Sequence, residues 1–183
     1  MKIFYYLLMI AAFFLSCKKE RVSSISPIKQ QVPAVLTAAK YDTIPDASCF
    51  KIRLQQDSST LDETSVMFKH LASIAYNDQE DARYFQGMGK ANLSSLTSDG
   101  VPCAIQTTPY SAGMTIRLDA TFRNSGTYLL KLSFLKMPPA NHIWLHDNMK
   151  KDSLDLRTGN YQFEINTADT ASYGGTRFKV ILR

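Results

Sequence analysis

The chain has 183 residues, 45 % of them hydrophobic, with 21 Lys and Arg against 16 Asp and Glu and a formal net charge of +5. That length suits one core of respectable size, and no internal repeat or second domain is visible. The charge excess is modest and no basic stripe with interleaved aromatics carries it, which excludes nucleic-acid binding.

Lys2 supplies a positive charge, Ile3 to Leu15 is unbroken apolar, and Ser16-Cys17 follows. The apolar run is too short for a membrane-spanning helix, which needs about 20 residues. The order is that of a charged n-region, an h-region and a small residue at the cut. Phe14-Leu15-Ser16-Cys17 resembles the lipobox of a bacterial lipoprotein signal, and Phe-Leu-Ser-Cys-Lys-Lys is similar to the start of Bacteroidetes lipoproteins. The resemblance implies a signal peptide over 1–16, a lipid on the Cys17 sulfur, palmitate among its chains, and an outer-membrane protein facing either the periplasm or the cell surface. Two or more acyl chains anchor stably, at about 0.8 kcal/mol per buried methylene. Removal of Lys2 with the signal lowers the net charge from +5 to +4. Lys18, Lys19 and Arg21 then begin either a solvated tether or a contact with anionic head groups.

Residues 17–47 read as the lipidated cysteine and a flexible tether. Ser23, Ser24, Ser26, Pro27, Gln30, Gln31, Pro33 and Pro45 fall there with no sustained period, a composition that buries too little surface to fold. Val32 to Leu36 suits at most one edge strand, because Pro33 cannot donate to a ladder.

From Cys49 the period becomes two. Phe50, Ile52 and Leu54 alternate with Lys51, Arg53 and Gln55; Ile116, Leu118, Ala120 and Phe122 do so with Arg117, Asp119 and Thr121. The same beat runs through Tyr128, Leu130, Leu132 and Phe134, then Tyr161, Phe163 and Ile165, then Phe178, Val180 and Leu182. Each series predicts a strand with one buried face. Ser98-Asp99-Gly100, Asn124-Ser125-Gly126, Met137-Pro138-Pro139, Thr158-Gly159-Asn160 and Gly174-Gly175 are the turn signals between them. Residues 48–183 are therefore expected to form one all-β domain, an antiparallel jelly-roll-like β-sandwich. Ser73 to Phe85, rich in Asn and acidic residues, predicts one short helical or irregular insertion.

The last forty residues hold Ile143-Trp144-Leu145-His146-Asp147, Leu154-Asp155-Leu156, Gly159-Asn160-Tyr161-Gln162-Phe163 and Arg177-Phe178-Lys179-Val180. In order and spacing they resemble the β-sandwich module near the C-terminal end of large Bacteroidetes cell-surface proteins. Phe50-Lys51-Ile52-Arg53-Leu54 is similar to its opening strand, Asp62-Glu63-Thr64 to its second, Asp81-Ala82 to its insertion and Gly126-Thr127-Tyr128 to its middle hairpin. The resemblance implies a non-catalytic surface or scaffold role, and makes Asp147 and Asp155 turn residues bonding local backbone.

Candidate sites are few. Cys49 and Cys103 are an even pair in an exported chain, which permits a disulfide; two buried thiols are the alternative. His142, Trp144 and His146 alternate with Ile143 and Leu145, so they share one strand face. That face is the candidate ligand surface, with the Trp144 indole able to stack on a sugar ring unless a loop covers it. The two histidines stand about 13 Å apart and cannot share a metal. Asp78, Glu80 and Asp81 lack the glycine and glutamate of a calcium loop. No nucleophile elbow, phosphate-cradling glycine loop or zincin helix is present. The sequence thus points to an envelope interaction or assembly module with no cofactor and no metal, carbohydrate binding being the alternative and a hydrolase less favoured. Its expected partners are the membrane, through the lipid, and an envelope or surface protein or a glycan. Cys17→Ala is expected to move the protein from the detergent phase to the aqueous phase in detergent partitioning; unchanged partitioning refutes lipidation.

Overall fold

The computed structural model describes residues 44–183; Cys17, the signal peptide and the stretch up to 43, Val32 to Leu36 included, lie outside the described residues. Strands run in the order β1 (Cys49–Gln56), β2 (Ser59–Phe68), β3 (Ala82–Arg83), β4 (Ala91–Leu96), β5 (Pro102–Thr108), β6 (Thr115–Phe122), β7 (Gly126–Lys136), β8 (Ile143–Asp147), β9 (Asp152–Asp155), β10 (Tyr161–Ile165) and β11 (Phe178–Leu182). The fold is all-β, as the period of two predicts. Ordered structure starts before residue 48: Ile44 packs against the core, and the Ala47 amide donates to the Phe68 carbonyl at 3.0 Å.

Hydrogen bonding joins every strand into one sheet in the order β10-β7-β1-β2-β5-β4-β6-β11-β8-β9, with β3 on the side of β5. The antiparallel expectation fails at one pair. β2 and β5 run parallel, Ser65 beside Ile105 through Phe68 beside Thr108. The cause is a change of partner: β5 pairs with β4 only at Ser95–Cys103 and Leu96–Pro102, then leaves it for β2. Thr64 holds the crossing, its hydroxyl accepting from the Ser95 amide at 3.1 Å and donating to the Cys103 carbonyl at 3.1 Å. The insertion between β2 and β4 is irregular apart from β3, with no α-helix; a 3-10 turn lies instead at Thr170–Ser172.

Alternation assigns the core correctly over most strands. Phe50, Ile52 and Leu54 of β1, Ile116, Leu118 and Ala120 of β6, and Phe178, Val180 and Leu182 of β11 are all buried. β7 departs from its expected period. Ile52 pairs with Leu132, but Lys51 pairs with Phe134 and Phe50 with Leu135, so a bulge at Ser133 shifts the register. An extra residue in one strand moves every later side chain to the opposite face. Phe134, expected inside, is 48 % exposed, and Leu135 packs against the core in its place. The bulged Ser133 donates to Glu63 Oε2 at 2.5 Å, where Glu63 also meets Lys51 and Arg53.

β10 and β8 stand near opposite ends of the ladder, yet their side chains meet, and the sheet curls into a nearly closed barrel. Phe163 of β10 packs edge-on against Phe178 of β11, ring centroids 4.8 Å apart, and Phe122 of β6 lies 4.6 Å from Tyr128 of β7. At the seam Arg177 and Asp147 are both fully buried, with Arg177 Nη2 2.9 Å from Asp147 Oδ2 and Nε 3.2 Å from both carboxylate oxygens. Arg177 Nη1 donates to the Glu164 carbonyl at 3.0 Å and to the Ser172 carbonyl. Tyr161 donates to Asp147 Oδ2 at 3.1 Å, and the guanidinium lies over the rings of Phe178 and Phe163 at 4.6 and 5.1 Å. Burial pushes the Asp147 carboxyl up, but the bonds from Arg177, the Lys150 amide and Tyr161 outweigh it and hold the group below the ordinary carboxylate range.

Two outcomes are expected from this seam and from the bulge. Arg177→Met is expected to cost about 3–5 kcal/mol in chemical denaturation, because it strands a buried carboxylate, and the double variant Arg177→Met/Asp147→Leu to recover most of it. Since the folded pKa of Asp147 lies below its unfolded value, its contribution is complete above about pH 4 and is lost as the pH falls through the folded pKa; Asp147→Asn is expected to flatten acid unfolding below pH 4. Leu135→Ser is expected to destabilise more than Phe134→Ser, in thermal melts of the two variants; the reverse order means the bulge is absent.

Candidate functional site

The predicted ligand face lies on β8. Ile143 and Leu145 are fully buried in the core, while Trp144 and His146 are half-buried and His142 is exposed on the other face. The cross-strand neighbours of Trp144 are Ile181 on β11 and Asp155 on β9. His142 Nδ1 lies 2.6 Å from Asp155 Oδ2, and His146 Nδ1 lies 2.7 Å from Ser153 Oγ. Both imidazoles therefore already have a partner on β9, which sets them as flanks of the indole. Asp155 also accepts from the Ile143 and Arg157 amides at 3.3 and 3.0 Å. Burial raises its pKa, and the His142 and backbone bonds outweigh that and bring it below the ordinary range. Asp147 accepts from the Met149 and Lys150 amides as well as from Arg177.

Cys49 and Cys103 are free thiols, and the permitted disulfide does not form. The register explains why. Cys49 pairs with Met67 on β2, which pairs with Thr107 on β5, four residues along from Cys103. Two strand spacings and four residues place the alpha carbons roughly 16 Å apart, beyond the roughly 7 Å a disulfide allows. Burial, with Asp81 and Asp99 nearby, pushes the Cys103 thiol up to about 12, so it is an inert core group.

A second surface, which the alternation did not reveal, is the insertion between β2 and β4. It is held at three points. Lys69 Nζ meets Glu80 Oε1 at 2.6 Å and holds the Glu80 carboxyl below its ordinary pKa. Asp81 accepts from the Asn77 amide at 2.8 Å and from the Thr107 amide at 2.7 Å. Tyr84 donates to Asp62 Oδ2 at 2.5 Å, and burial together with that carboxylate raises the phenol pKa. Glu80 and Asp81 are thus spent on fixing the loop. The same segment holds Leu71, Ile74, Phe85 and Met88 out into solvent, 85, 60, 83 and 91 % exposed. Leu71 has a φ of +64°, a left-handed conformation that costs a non-glycine residue about 1–2 kcal/mol. The sequence reading missed all four: Ile74 and Phe85 fall inside the stretch read as an insertion, Leu71 and Met88 just outside it, and the signal was their large apolar side chains in a segment without a period.

No protein family, curated protein or solved structure matches the chain. No helix among the described residues is long and apolar enough to cross a membrane, and no group of three or more His, Cys, Asp or Glu among them is placed to hold a metal ion.

Proposed function

We propose that this protein is a non-catalytic, lipid-anchored interaction module of the bacterial envelope, tethered to the outer membrane through Cys17, which docks a protein partner on the 71–88 insertion. The single observation that carries this reading is the display of Leu71, Ile74, Phe85 and Met88, 60–91 % exposed, on a loop pinned by Glu80, Asp81 and Tyr84. Large apolar side chains held out of the core mark interaction surfaces, and a loop already fixed loses little entropy on docking. The strained Leu71 adds to this, since strain held at an exposed position points to a role outside the fold. A protein suits the surface better than a lipid leaflet. Asp78, Glu80 and Asp81 against Arg83 give the segment a negative balance, which anionic head groups repel.

In fold terms we read the curled sheet as a jelly-roll-like sandwich, its two halves meeting where Phe163 packs on Phe178 and Phe122 on Tyr128. One observation favours carbohydrate binding as a second reading: the Trp144 indole is half-buried on an outer face with its flanking histidines fixed by Asp155 and Ser153. A ring edge of this kind can stack on one sugar.

The two readings separate by experiment. In pull-downs from envelope extract, Phe85→Ser/Met88→Ser is expected to reduce retention of the wild-type partner at least tenfold, about 1.4 kcal/mol, with the melting temperature nearly unchanged. Equal retention refutes docking on the insertion. On a glycan array the wild type is expected to bind nothing; a sugar retained by the wild type and lost in Trp144→Ala establishes the carbohydrate reading instead.

A further inference from the structure

A small polar pocket of about 110 Å³ lies where the insertion crosses the outer face of β4 and β6, lined by Tyr84, Gln86, Asn92, Ser94, Asp119 and Thr121. Two of its donors, Tyr84 and Asn92, are committed. Tyr84 gives its proton to Asp62 Oδ2 at 2.5 Å and also lies 3.0 Å from Asn92 Oδ1. Asn92 Nδ2 donates to Thr121 Oγ1 at 3.2 Å. Asp62 Oδ2 is further occupied by the Leu93 amide at 2.8 Å. Asp119 is the exception. Among the described residues its carboxylate has no hydrogen bond and no ion pair, and burial alone, uncompensated, raises its pKa. Arg117, two residues away on the same strand face, is turned to the Thr97 carbonyl, with Nη2 at 3.2 Å. Gly175 packs close to Asp119: a Cβ there would stand 3.7 Å from Asp119 Oδ1 and 2.8 Å from Leu96 Cδ1.

Asp119 is half-buried, and a carboxylate drawn part-way out of water is favoured by a cationic partner. It shares the pocket lining with Asn92 Oδ1 and with the hydroxyls of Ser94 and Thr121, which can accept as well as donate, and Asp62 adds a second carboxylate on the far side of Tyr84. The group that completes such a pocket is a cation with several donors. We propose that this pocket is a receptor for a primary ammonium group, with Asp119 as its counter-ion and Asn92, Ser94 and Thr121 as hydrogen-bond acceptors. The volume is that of about four waters, which admits an ammonium head with its first methylenes, and a quaternary amine lacks the N–H donors that the acceptors call for. A divalent metal fits poorly, since calcium takes six to eight oxygens and usually more than one carboxylate, and Asp119 is the one uncommitted carboxylate in the lining. The ammonium can come from a free alkylamine or from a lysyl side chain on a polypeptide; the chemistry at Asp119 is the same. This site is separate from the apolar display on the insertion, and either can fail without the other.

The test uses the full chain carrying Cys17→Ala, so that it stays free of lipid, with titrations followed by NMR at constant ionic strength. Methylammonium and Nα-acetyl-lysine amide are expected to give saturable shifts at the amides of Ser94 and Asp119 and at the Asp119 carboxyl carbon. Tetramethylammonium, which has no N–H donor, is expected to give none. Asp119→Asn, nearly the same shape, is expected to weaken the response at least tenfold while the spectrum stays dispersed. Should that variant not fold, the wild type alone decides: saturation with methylammonium is expected to lower the apparent pKa of Asp119. Binding of the lysyl probe alone supports the proposal with a polypeptide as the source. No saturable response to either amine, an undiminished response in folded Asp119→Asn, or tighter binding of calcium than of the amines overturns it.

Discussion

The seam between Arg177 and Asp147 is the interaction on which the rest of the structure depends. A sheet whose ladder runs from β10 to β9 has two free ends, and open ends expose unpaired backbone and one side of the core. This protein closes them with side chains. The guanidinium spans Asp147 at the end of β8, the Glu164 carbonyl in β10 and the Ser172 carbonyl in the 3-10 turn, and Tyr161 completes the carboxylate's bonds. Such a pair is favourable only when every donor and acceptor is met, because both charges have lost their water. Here the guanidinium is bonded along its edges and packs against the adjoining rings of Phe163 and Phe178.

That closure gives meaning to the sequence motifs of the last forty residues. Asp147, Tyr161, Phe163, Arg177 and Phe178 come from three separate segments and converge on one buried cluster. They serve the fold and leave the surface to other residues. Asp155 and Asp147 do bond local backbone at turns, but each also has a second partner, His142 for the one and Arg177 for the other.

The outer surface follows from how β5 travels. Because β5 leaves β4 after two residue pairs and joins β2, β3 and the rest of the insertion lie over that region, pinned by Asp81 to Thr107 and by Tyr84 to Asp62. One loop thereby covers β4, whose Ala91 to Ser95 are buried on both faces, holds four apolar side chains in solvent, and encloses the pocket around Asp119. A strand buried on both faces has no alternation to read, which is why β4 was invisible as a period while β1, β6, β10 and β11 were plain.

By itself the sequence determined the strands whose two faces meet different solvents, since apolar and polar residues must then alternate. It placed Ile143 and Leu145 inward and Trp144 outward for that reason, and marked Ser73 to Phe85 as an insertion through loss of any period. Tertiary structure decided what depends on partners. The bulge at Ser133 turns Phe134 out because Glu63 on another strand holds the extra residue. The interposed β2 keeps Cys49 and Cys103 apart. The carboxylate of Asp119 became distinct from other strand aspartates only when Tyr84, Asn92 and Arg117 proved to donate elsewhere. Periodicity reports burial, which is a property of one strand; pairing, register and hydrogen-bond accounting belong to sets of strands, and a single chain pattern does not encode them.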